Sequence, residues 1–226
     1  MKRKLLTSIF IITTLAIFNL YGEDTISHKQ GISIGFDLYG PVNKIFQPSM
    51  TSYEASLNAG SFYRFFPVIE GGYLKIADKT NTFNYNSNGN FISFGFDYNF
   101  YKKNLPWENN ILFVGLRYGF SSLTHKADNI VVIDSLWGNF HSSLNETKVK
   151  AQWVEAVGGI RVEVLKNFSI GWSVSFNMLT VTSGMNQIKP FVIPGFGSGA
   201  GTTAFGFNYS LYYTFPLKKE KSYFPK

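Results

Sequence analysis

Cysteine is absent from all 226 residues. That excludes disulfides, thiolate-bound metals and a lipid anchor on an N-terminal cysteine. Histidine is scarce: His28, His125 and His141 match no metal-ligand spacing, so neither a metal nor another cofactor is expected. Charged side chains make up only 15% of the chain. Past the N-terminus no apolar run is long enough for a transmembrane helix, and no segment keeps a helical period. Aromatic residues, at 18%, are what the chain has in plenty. Low charge with high aromatic content suits a wall that faces lipid, and the length suits one or at most two domains.

The N-terminus reads as a secretory signal peptide over residues 1–22. Lys2, Arg3 and Lys4 form its positive end, Leu5 to Phe18 its apolar stretch, and Leu20-Tyr21-Gly22 a small-residue approach to a cut before Glu23. An uncleaved anchor is the alternative, although the stretch is short for a span. Residues 23–30 would be a short periplasmic segment and 217–226 a basic periplasmic tail. The formal charge of +7 arises at the two ends: Lys2, Arg3 and Lys4 at one, Lys218, Lys219, Lys221 and Lys226 against Glu220 at the other, leaving +1 for residues 23–216. A charge so placed gives no footprint for nucleic acid, and none is expected as a partner.

Between the ends, alternation of apolar and polar residues recurs in segments of about ten, the length a tilted membrane strand needs. In Phe91 to Phe100, Ile92, Phe94, Phe96, Tyr98 and Phe100 share one face, and Ser93, Gly95, Asp97 and Asn99 the other. The apolar face is bulky and the polar face small, which fits lipid outside and a crowded lumen inside. The same reading holds for Ile32–Tyr39, Tyr53–Gly60, Leu112–Ser121, Val154–Val164, Phe168–Met178 and Phe205–Phe215; Pro67–Ile76 is weakest, because Leu74 and Lys75 break the pattern. The fold class is therefore all-β: an eight-stranded antiparallel up-and-down transmembrane β-barrel over residues 31–216.

An even strand number puts both ends of the chain on the periplasmic side. The periplasmic connections are Ser61–Phe66, Tyr101–Asn110 and Leu165–Asn167. The outer ones, Pro41–Thr51, Ala77–Asn90, Leu123–Lys150 and Thr180–Gly201, are longer and richer in Asn, Ser, Thr and Gly. Ile130 to Ile133 predicts that the strands beside the third outer loop extend past the membrane. Closure removes the unpaired edge that lipid forbids, and eight strands leave an interior that side chains fill. The lumen is expected to be packed rather than an open channel.

The inward faces hold Asp37, Glu54, Glu70, Asp97, Arg117, Glu155, Arg161 and Glu163. Buried charges are costly unless paired, so a network centred on Arg117 and Arg161 is expected, with surplus acids hydrated or protonated. Gly115, Gly119 and Gly159 would leave room for the two arginines. Tyr98, Tyr118, Trp172, Tyr209 and Tyr213 are expected as interfacial anchors, and Tyr73, Trp107 and Trp153 read the same way.

No residue set forms a catalytic signature, and an enzyme is not expected. Gly195 to Gly201 lacks the Gly-Lys-Ser/Thr ending of a phosphate loop and reads as a flexible outer loop. His125 and His141, near Ser121, Ser122, Ser142 and Ser143, leave open a Ser–His pair of the kind some small outer-membrane barrels use to modify lipids. Ordinary loop composition accounts for them equally.

Phe94-Gly95-Phe96-Asp97-Tyr98-Asn99, Phe113-Val114-Gly115-Leu116-Arg117-Tyr118-Gly119-Phe120, Gly158-Gly159-Ile160-Arg161-Val162-Glu163 and Phe205-Gly206-Phe207-Asn208-Tyr209 resemble an uncharacterised family of small Gram-negative outer-membrane β-barrels, a domain of unknown function. The resemblance runs from about Gly31 to Phe215. It implies an outer-membrane location and no activity. The last strand is similar to the C-terminal signal read by the barrel-assembly machinery, although Pro216 and a basic tail follow Phe215. Outer-membrane lipid and that machinery are the expected partners. The expected role is structural or surface-interacting, with the third outer loop as contact region; a lipid-modifying enzyme and a soluble periplasmic ligand-binding barrel are the alternatives.

Overall fold

The structure is a computed structural model that describes residues 31–60, 64–80, 83–101, 109–132, 138, 140–185 and 189–217. The expected signal peptide, the segment 23–30, Trp107 and the tail beyond Leu217 lie outside the described residues.

Eight strands close into one antiparallel barrel: β1 (Gly31–Asp37), β2 (Met50–Gly60), β3 (Phe65–Lys79), β4 (Asn84–Asn99), β5 (Ile111–Val132), β6 (Phe140–Leu165), β7 (Phe168–Ser183) and β10 (Thr203–Pro216). Every segment of alternation maps onto one of them, although Ile32–Tyr39 overruns β1 by two residues and Phe91–Phe100 overruns β4 by one. β1 seals against β10 from Gly31↔Pro216 to Asp37↔Ser210, which leaves no open edge. The end of the barrel that holds Gly31 and Pro216 is called lower here, the opposite end upper. β8 (Val192–Ile193) and β9 (Gly197–Ser198) form a separate small hairpin at the upper end. At the lower end β6 turns into β7 through Lys166 and Asn167. Asn167 takes φ 69°, a left-handed conformation that asparagine tolerates, and its amide donates to the Glu163 carboxylate at 2.7 Å.

The upper connections differ from the loops expected there. Pro41–Thr51 begins inside a helix, α1 (Tyr39–Phe46), with Pro41 in the first turn, where no amide donor is needed. Tyr39 is thus helical rather than the end of a strand. Ala77–Asn90 is mostly strand, since β3 runs to Lys79 and β4 starts at Asn84. The third loop shrinks likewise: β5 runs to Val132 and β6 starts at Phe140, the extension that Ile130–Ile133 predicts.

The reason lies in a reversal of polarity along single strands. On β4 the outward face reads Phe96, Phe94, Ile92, then Asn90, Asn88, Asn86 and Asn84. On β5 it passes from Leu116 and Phe120 to Ser122, Thr124 and Lys126, while the inward face passes from Arg117 to Leu123 and Ala127. β6 inverts too: Glu155 faces in below, Trp153, Ala151 and Val149 above. β3 does the same, with Glu70 inward below and Leu74 and Ile76 inward above. The weak alternation at Leu74 and Lys75 is this crossover. The apolar outer belt, from Ile92 on β4 to Phe100 just past its end, is about 26 Å along the chain and about 20 Å along the barrel axis at a typical tilt.

The inward glycines serve other neighbours than the arginines. A Cβ on Gly119 would overlap the Trp153 indole, one on Gly159 the Phe113 ring, and one on Gly115 the Asp97 carboxylate. The room for Arg117 is made by Gly95, its cross-strand partner.

Candidate functional site

Inward side chains gather at two levels of the lumen with different chemistry. The lower block is ionic. Arg117 projects inward from β5 between Gly95 on β4 and Glu155 on β6. Its Nη1 lies 2.6 Å from the Glu70 carboxylate and 3.8 Å from Glu155, and its Nη2 lies 3.3 Å from Asp97. Ser93 Oγ donates to Glu70 at 3.3 Å. All four charged side chains are at most 10% exposed. One guanidinium, with donors in a rigid fork, thus serves three carboxylates, which is the arrangement that makes buried charge tolerable.

The other expected network members sit elsewhere. Arg161 is not a second centre: its guanidinium carbon stacks 3.6 Å from the Tyr212 ring centroid. Among the described residues no carboxylate lies within ion-pair distance of it, because its cross-strand partners are Ile111 and Gly171. Glu54 accepts from Asn208 Nδ2 at 3.0 Å. Asp37 accepts from the amides of Tyr209 at 3.1 Å and Gly40 at 3.3 Å, fastening the start of α1 to β10. Glu163 belongs to the lower rim, bonded to the Asn109 side chain and the Asn167 amide. Beneath the ionic block a small pocket is lined by Ser33, Arg161, Glu163, Ser169 and Thr214.

The upper cluster is apolar, and the last upper connection supplies part of it. Gly195 to Gly201 does not form a free loop: with residues 189–194 it folds into the barrel mouth. Pro190, Ile193 and Phe196 are fully buried there. Phe196 meets Trp153 edge to face at 6.1 Å, and its carbonyl accepts from Asn177 Nδ2 at 2.8 Å. The Phe191 amide donates to the Tyr85 hydroxyl at 3.3 Å. Gly195, at φ 73°, brings the chain against the Phe91 ring. Leu123, Val149, Ala151, Trp153 and Ala204 supply the barrel's half of this core; Leu74, Ile76, Tyr85, Ala127 and Leu144 form a second cluster near it. Trp153 is therefore an interior residue, not an interfacial anchor.

The five expected anchors all point outward, at different heights. Tyr98 and Tyr213 stand low, against Phe65 and Phe168 at 5.0 and 5.2 Å. Trp172 stacks on Tyr209 at 5.6 Å nearer the middle. Tyr118 stands near the upper limit of the belt, its hydroxyl donating to Gln152 at 2.8 Å.

His125 lies inside the upper core, 1% exposed, with its ring 6.1 Å from that of Tyr85. Neither of its nitrogens has a hydrogen-bond partner, so His125 is not paired with a serine. The His141 side chain lies outside the described residues. Burial pushes the His125 imidazole below its ordinary pKa. The folded state thus resists a proton that the unfolded chain accepts, and stability falls as pH drops through the unfolded value of about 6.5. Between about pH 7.5 and 5.5 the urea midpoint in detergent should move downward in the wild type relative to His125→Leu, which lacks this contribution. Equal slopes for the two proteins would remove His125 from the account.

Among curated proteins, none matches this sequence. The chain belongs to a family described as a domain of unknown function, DUF6048, whose profile matches residues 3–220. In shape it is similar to three solved structures. A major outer membrane protein from Thermus thermophilus aligns at a TM-score of 0.49 and 10% identity, over 84% of this chain and 100% of that one. Ail, the attachment invasion locus protein of Yersinia pestis, aligns at 0.41 and 9%, over 84% and 99%. CarO2 of Acinetobacter baumannii aligns at 0.39 and 11%, over 83% and 99%. Likeness at this level carries no role across to this chain.

Proposed function

Starting from a closed barrel in a family without an assigned role, we propose that this protein is an integral outer-membrane barrel that conducts nothing and presents a rigid upper rim to the outside. The observation that carries the reading is the reversal of polarity: on β3 to β6 the outer face is apolar below and polar above, while the buried charges face in below and most of the large apolar inward side chains lie above. A wall of that kind suits lipid around its lower part and water around its upper part. The Arg117 ion-pair cluster and the inserted hairpin, one below the other, support a lumen closed to solutes. The tall wall of β3 to β6, with Lys75, Asn88, Thr124 and Lys148 in one cross-strand row, is the surface offered to partners. In this reading the barrel-assembly machinery inserts the chain, both termini face the periplasm, and the role is structural or surface-interacting rather than enzymatic.

Fractionation of cell envelopes tests the location: the protein should travel with outer membranes and need detergent for release. Planar-bilayer recording tests the closure, with no unitary conductance steps expected. Recovery in the soluble periplasmic fraction would sink the membrane reading, and steady stepwise conductance would sink the closed lumen.

A further inference from the structure

The upper rim is uneven. On one side β5 and β6 rise far beyond the belt; on the other β1 stops at Asp37, while β10 continues up to Thr203 and β2 to Met50. α1 stands in that gap, against β2 and β10. Gly40 is its buried residue, so close to the Ser52 backbone that a Cβ would overlap it. At about 100° per residue, Tyr39, Val42, Ile45 and Phe46 share an arc of about 120° turned away from Gly40. These four are 49%, 49%, 75% and 78% exposed.

We infer that α1 lies in the outer leaflet, with Tyr39, Val42, Ile45 and Phe46 seated where acyl chains meet headgroups, as a contact with lipid that does not span the membrane. The inference rests on the membrane reading proposed above. Continuity with the belt is what selects lipid as the occupant. Phe36, an outward and exposed belt residue of β1, precedes Tyr39 by three positions, a reach of at most about 11 Å. Tyr53, outward and exposed on β2, follows Phe46 after a short linker. Both ends of the helix are therefore tied to the top of the belt, and α1 cannot rise into water as β5 and β6 do. Lys44, nearly opposite the apolar arc and exposed, gives the helix the polar side an interfacial helix requires.

The absence of cysteine allows a clean test. Full-length Phe46→Cys, Lys44→Cys and Phe94→Cys proteins would each carry one environment-sensitive fluorophore in phosphatidylcholine vesicles, and be quenched by nitroxide lipids or by aqueous iodide. The expected result is Phe46 and Phe94 labels quenched several-fold more by nitroxide lipid than by iodide, with the Lys44 label reversed. If Phe94 behaves as expected while Phe46 follows Lys44 into iodide, α1 is in water and the inference fails alone. If Phe46 is shielded from both quenchers, protein and not lipid covers the arc, which also overturns it. If Phe94 itself is quenched by iodide, the membrane reading falls and this inference with it.

Discussion

Arg117→Met should weaken the barrel by about 3–5 kcal/mol, the range for removing one partner from a buried charge cluster. The effect would be read as a lower urea midpoint in detergent and a lower temperature for the heat-dependent shift on a denaturing gel. Methionine keeps most of the volume and removes the charge, leaving Glu70, Asp97 and Glu155 to face one another within a closed lumen. Asp97→Asn should cost less, because Arg117 keeps Glu70 and Glu155. Arg117→Lys should fall between, since one ammonium cannot hold the forked geometry that reaches Glu70 through Nη1 and Asp97 through Nη2. Arg117→Met combined with Glu70→Gln, Asp97→Asn and Glu155→Gln should recover part of the loss. A single Arg117→Met protein that unfolds where the wild type does would show that the carboxylates find other compensation, such as water in the lumen.

This cluster was partly legible in the sequence. Alternation alone put Glu70, Asp97, Arg117 and Glu155 on inward faces, because side chains on a strand alternate strictly between faces. What it lacked was register: Val68↔Gly95↔Arg117↔Glu155, with Glu70↔Ser93 and Asp97↔Gly115 in the adjacent inward rows, gathers the four side chains and leaves Arg161 lower, over Tyr212. The eight strands were legible for a similar reason, since bulky apolar residues every second position mark the belt. The upper barrel is harder to read because bulky apolar residues mark the outer face of a strand only where lipid surrounds it. Leu123 and Ala127 alternate with Thr124 and Lys126, and Val149, Ala151 and Trp153 with Lys148, Lys150 and Gln152. That is a strand signal of equal strength with its faces exchanged, and it reads as loop only if lipid is assumed outside. The helix over Tyr39–Phe46 left a weaker trace: eight residues containing a glycine and a proline give little helical period to detect.

The second large effect is expected at Trp153. Trp153→Ala should cost about 3–5 kcal/mol, the range for emptying the site of a large buried aromatic. The loss should be local. The indole fills the space over Gly119 and meets Phe91 at 6.3 Å and Phe196 at 6.1 Å, so its removal takes away the floor on which the 189–201 hairpin rests. Residues 189–201 would then open far more often than the belt, and protease added outside intact vesicles should cut there at least ten-fold faster than in the wild type. The belt and the Arg117 cluster lie below; the Trp153 side chain reaches Glu155, but Arg117 keeps Glu70 and Asp97, so the heat-dependent gel shift should persist. Phe196→Ala should repeat the cleavage with a smaller loss of stability, and the Trp153→Ala, Phe196→Ala pair should be less than additive because the two rings share one contact. Opening of the hairpin should still give no conductance, since the ionic block remains beneath it. Wild-type resistance to protease in Trp153→Ala would mean that Tyr85 and Asn177, which bond the Phe191 amide and the Phe196 carbonyl, hold the hairpin by themselves.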